Sequence, residues 1–101
     1  MESVTITRHG GGNAGEYNAQ VPGSSAIGRL TWVEKDGVRV AEHTLVPREI
    51  GGRGVAGKLV DALVADAEAE HFRIVPQCSY VAAQFKRHPE WAHLLAAGTK
   101  P

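Results

Sequence analysis

The chain has one cysteine in 101 residues, so it can form no internal disulfide, and a small secreted scaffold stapled by disulfides is excluded. One thiol cannot build a cysteine-based zinc site either, and His9, His71, His88 and His93 show no metal-ligand spacing, so no metal is expected. Net charge is also missing, because 11 basic residues are matched by 11 acidic ones. Binders of nucleic acid or of anionic membranes depend on a surplus of Lys and Arg, so neither partner is expected. No apolar run approaches the roughly 20 residues of a membrane span. The opening Met1-Glu2-Ser3-Val4 has no basic segment followed by an apolar one, so no secretory leader is expected and a soluble, cytoplasmic protein is. Repeats, linkers and low-complexity tracts are absent as well. The expectation is one domain over residues 1–101, with a modest core.

What is present reads as strands followed by a β-α-β-α order. Val4–Thr7 and Glu16–Val21 are short strand-like runs around the turn-forming stretch Gly10 to Gly15. Ala26–Glu34 and Val38–Val46 are stronger, and they flank Lys35-Asp36-Gly37, a type I′ hairpin signature. That loop sets Lys35 opposite Val38, Glu34 opposite Arg39, Val33 opposite Val40 and Trp32 opposite Ala41, and Leu30 then faces His43. Pro47 ends the ladder. From Val55 onward, Val55, Leu59, Leu63 and Ala67 share one row and Ala56, Val60 and Val64 the next, the pattern of an amphipathic helix of about four turns. Phe72–Val75 reads as a buried strand, Ser79 as the cap of a helix over Tyr80 to Arg87, and Trp91–Ala97 as a last short helix. The fold class is α+β: an antiparallel meander, a crossover helix, a further strand and C-terminal helices.

Between strand and helix lies Gly51-Gly52-Arg53-Gly54-Val55-Ala56-Gly57-Lys58. Glycines there let a ligand approach the backbone, and the first amides of a helix are unpaired donors at its positive end, a combination suited to phosphate. A plain glycine-rich turn is the alternative. Gly52-x-Gly54-x-x-Gly57 matches the dinucleotide fingerprint, but the acidic residue expected at the end of the next strand is missing, since Pro76-Gln77-Cys78 stands there. Gly52 to Lys58 matches most of a P-loop, but Leu59 takes the place of the Ser or Thr that would hold magnesium.

A third pattern remains. The segment resembles the pyrophosphate loop of the GNAT acetyltransferase superfamily, with Gly54 and Ala56 in its last two fixed places and Gly51 departing from the usual Gln or Arg; Arg48 or Arg53 would then supply that charge. Glu42-His43-Thr44, Arg53-Gly54-Val55-Ala56, Pro76-Gln77-Cys78 and Arg87-His88-Pro89-Glu90-Trp91 follow in order, and together they resemble a short GNAT-like family of about a hundred residues. The resemblance implies a truncated GNAT fold that binds acetyl-coenzyme A. It implies that amides from Arg53 through Gly54, Val55, Ala56 and Gly57 to Lys58 hold the pyrophosphate, and that the main chain of Leu45 and Val46 pairs with the pantetheine arm. It places Lys86 and Arg87 near the coenzyme, and an ordinary solvated helix face is the alternative for that pair.

Acetyl transfer needs a deprotonated acceptor, a polarised carbonyl and a proton for the leaving thiolate. Cys78, near a helix start, is a candidate nucleophile or proton donor, or else a small buried apolar residue. Tyr80 is a candidate acid towards coenzyme sulfur, or a core aromatic. His43 is a candidate base, or a structural histidine; Glu42 faces the other side of the sheet from it. The expected function is an N-acetyltransferase with an amine acceptor that the sequence does not identify, and the alternative is a coenzyme-binding module without catalysis.

Overall fold

Asp36 and Gly37 take φ of 52° and 80°, the paired positive values of the type I′ turn expected at this loop. They join the two longest strands, Ile27–Lys35 and Val38–Leu45. In the computed structural model, which describes residues 3–99, these are β3 and β4 of one five-stranded sheet. β1 (Thr5–Gly11) and β2 (Ala14–Gln20) precede them. α1 (Val55–Glu70), β5 (Arg73–Pro76) and α2 (Ser79–Arg87) follow, with 3₁₀ turns at Arg48–Ile50 and Pro89–Leu94. The spatial order is β1-β2-β3-β4-β5, antiparallel throughout except that β5 runs parallel to β4, as a crossover through α1 requires.

The differences from the sequence reading are local. β1 and β2 extend through Gly11 and from Ala14, leaving Gly12-Asn13 as the turn, because the glycines accept the tight backbone without leaving the ladder. Cys78, not Ser79, is the N-cap residue of α2. The closing helix expected over Trp91–Ala97 is a 3₁₀ segment, Pro89–Leu94; beyond it Leu95 bridges to Ile74 on the outer edge of β5.

One correction bears on function. Trp32 pairs with Ala41, but the ladder then slips, so Thr31 pairs with His43 and Leu30 with Thr44 rather than with His43. Glu42 is the extra residue, a β-bulge. The inserted residue reverses the alternation beyond it. Thr44 joins the face of Leu30 and Trp32, whereas His43 joins that of Thr31.

The first of those faces carries the core. Tyr17, Ala19, Leu30 and Ala41 are all buried there against Val55, Leu59 and Leu63 of α1. α1 sits close because residue 28 is glycine: a Cβ there would lie 2.9 Å from Val55 Cγ1. Full burial of each such Val or Leu stabilises by roughly 1.5–3 kcal/mol. α1 ends at His71, which adopts the left-handed conformation (φ 61°) and donates its N–H to Ala67 O. Val81 and Phe85 of α2 and Leu94 complete the same cluster, and Phe85 meets Trp91 edge to face with ring centroids 5.4 Å apart. The opposite face of the sheet carries Glu16, Arg29, Thr31, Val33 and Val40, and Val40 is buried without belonging to that core.

Candidate functional site

β4 and β5 are parallel neighbours only from Val38 to Ala41, paired with Arg73 to Pro76. The last tie is Cys78 N–H to Ala41 O at 2.9 Å. Beyond it, residues Glu42 to Leu45 keep β3 on one side and, among the described residues, have no strand on the other. The bulge at Glu42 and the turn at Pro76-Gln77 let the strands part. Leu45 stands at the end of the unpaired stretch, 62% exposed despite its apolar side chain, and Val46 beside it is half-buried.

The N-terminus of α1 comes to the same end of the sheet as the carboxyl ends of β4 and β5, which is where the open edge lies. Gly54 is its N-cap in the left-handed region (φ 73°), and Gly52 has φ 74°; no atom stands within 4 Å of the position a Cβ would take at either. The loop therefore fronts open space. The amides of Gly54, Val55, Ala56 and Gly57 bond to no backbone carbonyl among the described residues, whereas Lys58 N–H is committed to Gly54 O at 3.1 Å. Of the amides expected to hold a pyrophosphate, Lys58's is thus already used, and this residue would contribute only its exposed side chain. Arg53 is exposed in the loop itself. Val55 is buried, so it presents its amide and not its side chain.

Cys78 and Tyr80 lie across this opening. Tyr80 Oη is 3.8 Å from where a Cβ on Gly57 would stand, which brings its phenol against the first turn of α1. Cys78 Sγ is 3.4 Å from Thr44 Oγ1. Burial pushes the thiol up, but the Thr44 hydroxyl and the amides of Val81 and Tyr80 outweigh it and hold the thiol below its ordinary value. Neither amide makes a capping hydrogen bond of good geometry to the sulfur; their effect is the electrostatic one of a helix N-terminus.

The structure thus sets Tyr80 against the first turn of α1 and Cys78 against Thr44, which the sequence reading passed over because it paired Leu30 with His43. The signal available was the bulge, and a bulge leaves no mark in hydrophobic alternation. His43 is not part of the cluster: it is exposed on the far face, opposite Thr31. Glu42 lines a groove on that far face as well, so the expected opposition of Glu42 and His43 across the sheet is lost at the bulge. Lys86 and Arg87 are exposed in the last turn of α2, about 13 Å along its axis from the Cys78 end, where they also offset the helix dipole.

A sequence profile of the GCN5-related N-acetyl-transferases matches residues 16–94, the stretch that carries the sheet from β2, the loop, both helices and Cys78. The chain belongs to the GCN5-related N-acetyltransferase family. No match was found among curated proteins. The matched stretch includes the glycine loop that opens α1 and the strands that part beyond Ala41. No helix among the described residues is long and apolar enough to cross a membrane. Among the described residues no group of three or more His, Cys, Asp or Glu could hold a metal ion.

Proposed function

We propose that this N-acetyltransferase family member binds acetyl-coenzyme A across the opening between β4 and β5 and passes the acetyl group to an amine. The observation that carries the reading is the row of amides from Gly54 to Gly57 that bond no backbone carbonyl among the described residues, at the positive end of α1 and beside the open space at Gly52 and Gly54. Such a row suits a diphosphate, and the positive φ values of Gly52 and Gly54 keep side chains out of its way. The unpaired edge of β4 at Leu45 and Val46 suits an extended, amide-bearing arm that adds to the sheet as a strand would. Lys58, Lys86 and Arg87 are cations that would serve outlying phosphates, and Arg53 stands in the loop itself.

Bound there, acetyl-coenzyme A supplies an activated thioester. The chain's own groups do the rest. Tyr80 Oη, against the first turn of α1, holds a proton where a departing sulfur would need one. Cys78, with its thiolate favoured by Thr44, serves either as a nucleophile or as a second proton carrier. His43, on the far face, is left as a base only for an acceptor that approaches from that side.

Calorimetric titration with acetyl-coenzyme A, followed by a thiol-release assay over an amine panel, tests the reading. Micromolar binding and acceptor-dependent release of coenzyme thiol are expected, with Tyr80→Phe slowing release more than it weakens binding. Binding without turnover on any amine would leave a coenzyme-binding module, and no heat at high protein concentration would remove the coenzyme altogether.

A further inference from the structure

Helices cover only one side of the sheet. The molecule measures 41 × 30 × 21 Å, and the shortest extent leaves room for one helix layer on one sheet. Val40 is buried, yet it lies outside the cluster that holds the buried residues of α1 and α2, and half-buried Val33, Val38 and Val75 stand outside it as well. The register gathers these side chains. Ala14 pairs with Val33, Val33 with Val40 and Val40 with Val75, so one apolar row crosses β2, β3, β4 and β5 on the uncovered face.

The rows flanking it differ in charge. Towards the β3–β4 turn, Lys35 pairs with Val38 and Val38 with Arg73, whose guanidinium donates to His93 O and meets no carboxylate among the described residues. On the other flank, Glu16 pairs with Thr31 and Thr31 with His43, and Glu42 bulges beside them. Arg29, one row further, neutralises Glu16 at 2.8 Å, so the unmatched charge on this flank is that of Glu42. Lys35 and Glu42 make no ion pair among the described residues.

We propose that this face is the interface of a homodimer, in which two copies of the chain pack apolar row on apolar row about a two-fold axis running along the row. A rotation about that axis lays the Lys35 flank of each copy over the Glu42 flank of the other. Lys35 and Glu42 of the second copy then stand one strand apart, about 4.8 Å sideways across sheets about 10 Å apart, a gap their side chains span. A two-fold along the strands would instead set cation over cation and carboxylate over carboxylate, which opposes it. A second copy suits the face because one surface carries both halves of the match, as a closed two-fold contact requires. Five strands and the six residues between Arg29 and Lys35 give a face of roughly 19 by 20 Å. That is the scale of a small, reversible interface and not of an obligate one.

The test is sedimentation velocity of the whole chain from about 5 µM to about 1 mM, with the amide shifts followed over the same dilution. A monomer–dimer equilibrium with a midpoint on the order of 100 µM is expected, with shifts at Val33, Val40 and Val75 and none at Gly54 to Gly57. Lys35→Glu and Glu42→Lys should each raise the midpoint about fivefold, and the chain carrying both should regain the dimer, because the pair is restored across the interface. Val33→Glu should abolish dimerisation while circular dichroism shows the fold kept, and Asp61→Asn, exposed on α1, should leave the midpoint unchanged. A chain still monomeric at about 1 mM would overturn the proposal and leave the face to a different protein. A dimer whose shifts fall on Ile6 and Arg8 of β1 would overturn it in favour of edge-to-edge pairing. A double charge reversal no better than either single one would overturn the two-fold along the row.

Discussion

At the level of single residues, Cys78 and Tyr17 show how neighbours set a side chain's chemistry. Cys78 is driven up by burial and further down by Thr44 and the α2 amides, so its thiolate forms below the ordinary thiol value. The rate of alkylation by iodoacetamide should accordingly rise with a midpoint below that value, and Thr44→Val should move the midpoint upward. A midpoint at or above the ordinary value would remove the argument for an activated thiol. Tyr17 is the opposite case. Burial, then the hydrogen bond to Asp66 at 2.9 Å, pushes its phenol well above the ordinary value, even with Arg39 donating to it at 3.0 Å. The neutral phenol is therefore favoured by folding. That contribution is complete below the ordinary tyrosine value of about 10, and it is lost as the pH climbs above it towards the folded-state value. Urea midpoints should fall as the pH rises above about 10, and less so in Tyr17→Phe; the variant should itself be less stable at pH 9 by about 1–3 kcal/mol, because Asp66 and Arg39 lose a partner. Little of this network was legible in the sequence. Tyr17, Arg39 and Asp66 come from β2, β4 and α1, and only packing brings such distant residues together.

At the level of elements, the loop before α1 and the bulge in β4 do most to shape the site. Gly54 is an N-cap with no side chain to offer, and its value lies in a φ of 73° that costs other residues roughly 1–2 kcal/mol. Gly54→Ala should lower the unfolding free energy read from a urea titration by about that amount and weaken acetyl-coenzyme A, while Gly54→Asn, which tolerates the left-handed region, should recover much of the stability. The helix itself was plain in the sequence, since Val55, Leu59, Leu63 and Ala67 recur at its period and all are buried. The hairpin was plain too, down to Glu34 opposite Arg39 and Trp32 opposite Ala41. The register failed one step later. A period of two carries no record of an inserted residue, so Glu42 broke the alternation unseen and His43 and Thr44 exchanged faces.

At the level of the molecule, one side of the sheet holds the core against α1, and the other carries Glu16, Arg29, Thr31, Val33 and Val40. Leu63, fully buried between α1 and the sheet, measures how much the first side contributes. Leu63→Ala should cost about 2–5 kcal/mol, a large part of the roughly 5–15 kcal/mol available to a domain. The melting temperature should drop by about 10 °C or more, read by circular dichroism. Acetyl-coenzyme A should raise Tm in both proteins if the opening beside Gly54 survives the loss.

Local rules were enough for the elements, their order and the glycine loop: periodicity marks a helix, Asp-Gly demands its own turn, and glycines before a helix leave its first amides bare. Which groups meet was decided in three dimensions. The parting of β4 from β5 and Thr44 against the thiol both depend on one inserted residue and on contacts between distant parts of the chain. Such contacts follow from how the faces pack, and neighbouring letters do not encode that.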